Sequence, residues 1–224
     1  MYQDFKNNID FFIRNSTKFS RKNFIETNQA EIERNSAQNK YTKDILERYF
    51  LNSQKQNLQI LDIGSKNWFY AKGEHEFFSD FSSDFTLDGV ELDAYRLYSN
   101  FYSRYEVTKY YIKNLKNTNY IVDDLLNIDK KYDYIIWFLP FVTIKPLQIW
   151  GLPKKYFCPE KLLNHAINLL NDGGQMIIIN QGENEKEIQK QMLEKSGVDF
   201  EFLGEIKNEF YNFENKRFGF LVRK

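Results

Sequence analysis

The fold is decided by the stretch LQILDIGSKNWF at residues 58–69. Its first six residues form a short apolar run, which is typical of a strand buried on both faces of a parallel sheet. Gly64 follows at once, and a glycine at this place lets a ligand approach the backbone closely. The stretch therefore predicts a first sheet strand that ends in a ligand-binding loop.

Further apolar runs follow this strand, and stretches with helical periodicity separate them. The runs that we interpret as strands lie at 85–93, 120–126, 132–140 and 173–181, and the helical stretches lie at 94–113, 159–171 and 184–197. Strands that alternate with helices predict a parallel α/β sheet with right-handed crossovers. Two strand-like runs, at 198–207 and 218–224, complete the pattern.

The residues before this region differ in character, because they are polar and recur at helical spacing. The apolar positions that carry this periodicity are Phe5, Ile9, Phe12 and Ile13, and later Ile45, Leu46, Tyr49 and Phe50. We therefore predict an N-terminal helical extension over 1–52 and an α/β domain over 53–224.

Composition and charge exclude several classes of protein. The 224 residues include 31 Lys and Arg and 31 Asp and Glu, and this balance argues against a protein built mainly to bind nucleic acid. The single cysteine, Cys158, excludes an internal disulfide and a zinc site of several thiolates, and no metal-ligand spacing stands out. There is no apolar run long enough to span a membrane and no signal-peptide core, so we expect a cytoplasmic protein without a membrane partner.

The predicted strand ends carry acidic residues at three places. Asp62 and Gly64 end the first strand, Glu91 ends the second, and Asp124 follows the third. A carboxylate after the second strand suits a ribose, because it accepts hydrogen bonds from both hydroxyls. An acid after the third strand can accept from the exocyclic amine of a base. Together these positions indicate a nucleoside pocket.

With these residues and this order of final strands, the segment 57–224 resembles the class I S-adenosylmethionine-dependent methyltransferases. The resemblance implies a Rossmann-like, doubly wound and mostly parallel seven-stranded sheet with an antiparallel last strand. It implies S-adenosyl-L-methionine as cofactor, with Glu91 on the ribose hydroxyls and with Asp124 and the Leu125 amide at the adenine. The residues that it places near the methionine end or the methyl group are Asp62, Gly64, Ser65, Lys66 and Phe138.

The loop after the first strand departs from that family, whose glycines alternate where this chain has Gly64, Lys66 and Trp68. Three accounts are open. Asn67 takes a left-handed conformation and keeps the turn open; Lys66 reaches the methionine carboxylate; or the site is blocked and binds no cofactor. The same loop argues against a nicotinamide-dinucleotide site, which needs glycine at the second of these positions.

The segment after the fourth strand is the expected acceptor region. Residues 142–157 form a long connection, and such connections often act as lids. The candidate substrate contacts are Trp68, Pro140, Phe141, Trp150 and Tyr156. The stretch Phe138–Phe141 matches three of the four positions of an amino-methylating motif, but Phe138 replaces its polar member, so an adenine-type acceptor in nucleic acid is a secondary alternative.

No catalytic residue is assigned from the sequence; His75, near the presumed cofactor loop, is a candidate base. We expect a methyltransferase that acts on an unidentified acceptor. Neutral charge and the aromatic-rich lid favour a small molecule over nucleic acid or protein. The alternative is a catalytically inactive binding or interaction protein with the same fold.

Overall fold

A computed structural model describes residues 29–51, 55–80, 82–98 and 101–224. The helix that the sequence predicts around Phe5–Ile13 lies outside these residues. Within them, an N-terminal helix precedes a seven-stranded sheet that is flanked by further helices.

The sheet has the strand order β3-β2-β1-β4-β5-β7-β6. Strands β1 to β5 pair in parallel, and β7 runs antiparallel to both of its neighbours, β5 and β6. The predicted fold class, a mostly parallel seven-stranded sheet with an antiparallel last strand, is confirmed. The strands are β1 (Leu58–Ile63), β2 (Phe85–Val90), β3 (Thr118–Ile121), β4 (Tyr132–Phe138), β5 (Leu170–Gln181), β6 (Phe200–Glu205) and β7 (Arg217–Arg223).

Six α-helices lie in the described residues. They are α1 (Gln29–Tyr49), α2 (Ala71–Ser79), α3 (Arg104–Ile112), α4 (Ile144–Ile149), α5 (Pro159–Leu169) and α6 (Gly182–Ser196). Two single 3-10 turns, Leu125–Asn127 and Lys154–Tyr156, lie beside the carboxyl ends of the strands.

The prediction of a single helix over 94–113 is wrong. The helix begins only after Ser103, whose hydroxyl accepts from the Glu106 amide while the Glu106 carboxylate accepts from the Ser103 amide. This reciprocal capping box fixes a helix start. Residues 92–95 before it form a turn, and Leu97 and Ser103 form an isolated antiparallel bridge.

Helix α1 packs into the same core as the sheet. Tyr41, Ile45 and Leu46 are buried in a cluster that also contains side chains of β1, β2, β4, β5 and β7. The helix crosses α2 closely at Gly73, where a Cβ atom would stand 2.2 Å from the Asn39 carbonyl oxygen. The Asn39 side-chain oxygen in turn accepts from the Gly73 amide at 2.7 Å. Residue 73 must therefore be glycine for α1 to lie here; the domain boundary at 52/53 stays a prediction.

Candidate functional site

A cavity of about 770 Å³ opens at the carboxyl ends of the central strands. Residues after β1, β2, β3, β4 and β5 line it, together with the first residue of β7 and three side chains of α1. Ligands of doubly wound sheets bind at this edge, where the strand order reverses. The position agrees with the edge that the sequence singles out.

The loop after β1 keeps a left-handed backbone at alternate residues. The φ angles are +75° at Gly64, +55° at Lys66 and +44° at Trp68. Non-glycine residues rarely adopt this region, and each costs about 1–2 kcal/mol. Asn67 is not among the residues with positive φ, so the first of the three accounts does not hold. Instead, Lys66 and Trp68 adopt the conformation that glycine favours, so the loop follows an alternating path without the alternating glycines.

Trp68 points into the protein and does not reach the cavity, so its predicted role as a substrate contact is corrected. Its side chain is fully buried, and its indole N–H donates to Glu74 Oε2 at 2.8 Å. Gly89 in β2 makes room for it, because a Cβ atom at residue 89 would lie 2.7 Å from the ring. A bulky residue in the loop is thus accommodated by a small residue in the neighbouring strand.

Asp62 and Ser65 also lie beneath the loop, fully buried and outside the cavity lining. The Ser65 hydroxyl donates to the backbone oxygen of Asp62 at 3.1 Å, and the Tyr70 hydroxyl donates to Asp62 Oδ2 at 2.9 Å. Asp62 Oδ1 and Glu74 Oε1 have no hydrogen-bond partner among the described residues. The expected direct contact of Asp62 and Ser65 with a cofactor is corrected to support of the loop from below.

The buried carboxyl groups under the loop have raised pKa values. Burial raises the pKa of Asp62 to about 7. Burial, and then the charge of Asp62, raise the pKa of Glu74 well above its usual range. Two carboxylates close together in a desolvated place cannot both ionise at low cost. Simultaneous ionisation of Asp62 and Glu74 is therefore disfavoured.

Glu91 lines the cavity at the end of β2, and its side chain is held by the backbone of two loops. Its Oε2 accepts from the Lys66 amide at 2.9 Å, and its Oε1 accepts from the Asp93 amide at 2.8 Å. Arg104 Nη1 lies 3.6 Å from Oε1. A carboxylate offers about four acceptor positions, so these contacts orient the group without exhausting it.

Asp124 and Leu125 line the cavity next to Glu91. Asp124 caps the 3-10 turn after β3, because its Oδ1 accepts from the Leu126 amide at 3.0 Å. The turn thereby brings a carboxylate and an apolar side chain to the same wall.

The connection after β4 contacts the loop after β1 and the start of α3. The Trp150 ring centroid lies 4.7 Å from Lys66 Nζ and 4.7 Å from Arg104 Cζ, so the indole contacts two cations. Burial, and then the charge of Arg104, lower the pKa of Lys66. Four candidate substrate residues line the cavity from this connection and from the end of β4: Pro140, Phe141, Trp150 and Tyr156.

Phe138 is the last residue of β4 and lines the cavity beside Tyr70, with ring centroids 6.1 Å apart. His75 does not join it, and its predicted role as a base is corrected. The imidazole lies in α2, with Nε2 3.1 Å from the Lys116 carbonyl oxygen and Nδ1 3.2 Å from the Ser79 hydroxyl. It belongs to the packing of α2, outside the cavity lining.

Sequence reasoning missed Tyr41, Tyr70, Arg104 and Arg217, all of which line the cavity. They come from α1, the loop before α2, α3 and β7. No strand-end pattern marks them, because they reach the site only through packing of distant segments.

Membrane-spanning helices and metal-binding clusters are both absent from the described part of the chain. No helix there is long and apolar enough to cross a membrane. Over the same residues, no group of three or more His, Cys, Asp or Glu side chains could hold a metal ion.

Solved structures of methyltransferases share this fold, among them S-adenosylmethionine-dependent enzymes. One, from Aquifex aeolicus, is 14% identical over 81% of this chain and 88% of its own, with a TM-score of 0.56. The magnesium protoporphyrin IX methyltransferase of Synechocystis PCC 6803, solved with bound S-adenosylmethionine, is 13% identical over 99% and 97%, with a TM-score of 0.55. The precorrin-6y C5,15-methyltransferase of Geobacter metallireducens GS-15 is 12% identical over 93% and 95%, with a TM-score of 0.52.

No protein-family model matches the sequence, and no curated protein matches it. At these identities the likeness is one of fold. The chain has the fold of the class I methyltransferases.

Proposed function

We propose that this chain binds S-adenosyl-L-methionine in the cavity and transfers its methyl group to a small-molecule acceptor. The observation that carries the proposal is that Gly64, Glu91 and the Asp124–Leu125 pair all line the same cavity. Three adjacent strands deliver them, in the order expected for an amino acid end, a ribose and a base.

The residues present fit this cofactor. A Cβ atom on Gly64 would meet no atom within 4 Å, so the backbone of residue 64 borders open space. Glu91 would hold the ribose hydroxyls, since its carboxylate is already oriented by the Lys66 and Asp93 amides. Asp124 and Leu125 would contact the adenine from the turn after β3.

The chemistry that the cofactor supplies is a sulfonium methyl group, which is a strong electrophile. The protein's part is then to orient the two reactants and to exclude water. The connection that carries Trp150 covers the site, with its indole held between Lys66 and Arg104. Phe138 and Tyr70 form an aromatic wall between the cofactor end and the end near β7.

The size of the cavity and the net charge of the protein both favour a small-molecule acceptor. The cavity volume of about 770 Å³ lies within the range of small-molecule sites. The formal net charge of zero gives no general attraction for nucleic acid. Phe138 stands where an amino-methylating enzyme acting on adenine needs a polar residue, which weighs against that alternative.

The alternative of an inactive binding protein predicts cofactor affinity without turnover or no affinity at all. The loop geometry weighs against a blocked site, because Trp68 is turned inward and Gly64 borders the cavity. Production of S-adenosylhomocysteine in the presence of an acceptor separates an enzyme from a binding protein.

The test is the affinity of Glu91→Ala for S-adenosylhomocysteine, measured by calorimetry. Loss of charge-assisted hydrogen bonds is expected to weaken binding by about 30-fold or more, which is about 2 kcal/mol. Glu205→Ala is the matched control, since Glu205 ends β6 outside the cavity lining and pairs with Lys216 at 2.9 Å. Equal affinity of the two variants in folded protein would overturn the assignment of Glu91.

A further inference from the structure

Arg217 lines the cavity from β7, four strands away in the sheet from β2, which precedes Glu91. It begins β7 and pairs in register with Gln181 of β5, whereas Glu91 follows β2. Strands β1, β4 and β5 lie between β2 and β7, and strands are about 4.8 Å apart, so the two side chains stand on sheet positions about 19 Å apart. A ligand group at Arg217 would therefore belong to the acceptor.

Arg217 differs from the other arginines that the structure describes, because each of those has a carboxylate within 4.0 Å. The pairs are Arg34–Glu31, Arg48–Asp44, Arg96–Asp93, Arg104–Asp93 and Arg223–Glu201. No described carboxylate lies within ion-pair distance of Arg217, although its side chain is partly buried. Burial lowers the pKa of this guanidinium. A desolvated cation without a counter-charge is costly, and a ligand anion would offset that cost.

Two contacts fix the orientation of the planar Arg217 guanidinium. Nη1 donates to Gln181 Oε1 at 2.9 Å, and Cζ lies 4.4 Å from the Phe213 ring centroid. Guanidinium has five N–H donors in a fixed fork, which suits the two oxygens of a carboxylate. The stacking on Phe213 and the bond to Gln181 hold the fork in place before a ligand arrives.

The walls at this end are apolar and aromatic. The Tyr41 and Phe213 rings pack edge to face at 4.8 Å, and Tyr211 packs on Phe213 at 4.7 Å. Phe138 and Ile179 line the same cavity from β4 and β5. Such walls favour a flat apolar body attached to the anionic group.

Among the described residues, Glu185 is the carboxyl group that lines this end of the cavity, and it interacts with Arg217 electrostatically without a direct ion pair. Its Oε2 accepts from the Gln181 amide at 3.3 Å. Burial raises the pKa of Glu185, and the charge of Arg217 acts in the opposite direction.

We propose that the methyl acceptor is an aromatic carboxylate, whose two oxygens bind the Arg217 fork while its ring lies between Phe138 and Phe213. A hydroxyl or amine on that ring attacks the sulfonium methyl; the C–S bond breaks, S-adenosylhomocysteine leaves, and the proton of the hydroxyl or amine passes to solvent. This inference rests on the proposed function, since it assigns the acceptor of the same cavity. It names an acceptor class that neither the fold nor the strand-end motifs specify.

The test is a calorimetric titration of the protein saturated with S-adenosylhomocysteine. The probes are benzoate, 4-hydroxybenzoate and 2-naphthoate, each beside its neutral amide, with inorganic phosphate as a further anion. At least one carboxylate is expected to bind about 10-fold or more tightly than its amide, because only the carboxylate pairs with the fork. Arg217→Gln is expected to abolish this preference, and Arg217→Lys to retain part of it. Arg223→Gln, at the other end of β7 and paired on the surface, is expected to keep it in full.

The outcomes separate this inference from the proposed function. If S-adenosylhomocysteine itself does not bind, the proposed function fails first and the acceptor assignment fails with it. If it binds but no carboxylate exceeds its amide, or if Arg217→Gln keeps the preference, the inference alone is overturned. If phosphate binds as tightly as the carboxylates and with the same dependence on Arg217, the site binds anions in general. That result would overturn the assignment of an aromatic carboxylate as acceptor. Retained S-adenosylhomocysteine affinity in Arg217→Gln shows that the variant is folded.

Discussion

Two aspartates on neighbouring strands lie at opposite ends of the strands and have very different hydrogen-bond partners. The two ends are called the amino edge and the carboxyl edge of the sheet. Asp133, at the amino end of β4, accepts from Lys55 Nζ at 2.6 Å, from the Gln59 amide at 2.9 Å and from Asn171 Nδ2 at 2.7 Å. Asp62, near the carboxyl end of β1, accepts from the Tyr70 hydroxyl, and its Oδ1 has no partner among the described residues. Both side chains are buried.

The pKa values of the two groups follow from these contacts. Burial alone would raise the pKa of Asp133, but the bonds from Lys55, Gln59 and Asn171 lower it overall. Burial raises the pKa of Asp62 to about 7. The amino edge is therefore built for stability, while the carboxyl edge keeps unsatisfied groups and a left-handed loop. Functional sites commonly carry such local strain.

The largest expected effect comes from a pair of glycines, one at each edge. Gly64 and Gly173 have φ angles of +75° and +77°, and neither has an atom within 4 Å of a built Cβ. Gly64→Ala and Gly173→Ala should each destabilise the protein by about 1–2 kcal/mol, because both force alanine into a left-handed region. Only the first should reduce affinity for S-adenosylhomocysteine, and Gly64→Val should reduce it by about 100-fold or more by filling the cradle.

Calorimetry and urea unfolding of these three variants check the prediction together. Equal loss of affinity at the two edges would mean that strain alone accounts for the effect. Unchanged affinity in Gly64→Val would remove the cofactor from this loop.

The next largest effect is expected on stability, when Asp133 or Asp62 is replaced by asparagine. Asp133→Asn should cost about 2–3 kcal/mol at pH 7, because it removes an ion pair and charge-assisted hydrogen bonds. The folded-state pKa of Asp133 is lowered, so its stabilising contribution is present above the unfolded pKa near 4 and is lost in acid. The cost of this variant should therefore shrink as the pH falls.

Asp62→Asn should behave in the opposite way. The folded-state pKa of Asp62 is raised, so the folded protein binds the extra proton and wild-type stability falls as the pH rises from about 4 to about 7. Replacing the carboxyl by a neutral amide should gain about 1–3 kcal/mol above pH 7 and little at pH 4. Urea unfolding at pH 4.5, 6 and 8 measures both series; parallel pH profiles of the two variants would contradict the contrast between the edges.

The smallest effect is expected at Lys66. Lys66→Gly should relieve the left-handed strain at φ +55° and stabilise the protein by about 0.5–1 kcal/mol relative to Lys66→Ala. The Ala variant removes the side chain but keeps the left-handed strain, so the difference in stability between the two variants reports the backbone strain alone. Thermal unfolding of both variants measures this difference. A Gly variant no more stable than the Ala variant would show that residue 66 is not strained.

The fold could be predicted from the sequence because its signals are local and repeated. The apolar runs at 58–63 and 132–138 and the acids that end the strands need only neighbouring residues to be recognised. The same holds for Gly64, Glu91 and Asp124, which the strand-end rule identifies directly.

The parts that could not be predicted depend on packing between distant segments. The sequence does not reveal that Trp68 turns inward, because the space for it is made by Gly89 in another strand. The capping box at Ser103 overrides a longer helical periodicity in the sequence. Arg217 reaches the cavity only because β7 inserts beside β5, and Arg104 reaches it from α3.

The central claim is that the carboxyl edge holds S-adenosylmethionine. The most direct test is calorimetric titration of the purified protein with S-adenosylmethionine and S-adenosylhomocysteine, with NAD as control, after any co-purified ligand has been removed and identified. Micromolar affinity for the first two, about −8 kcal/mol, and no binding of NAD are expected. Folded protein that binds neither compound and releases neither on denaturation would contradict the claim.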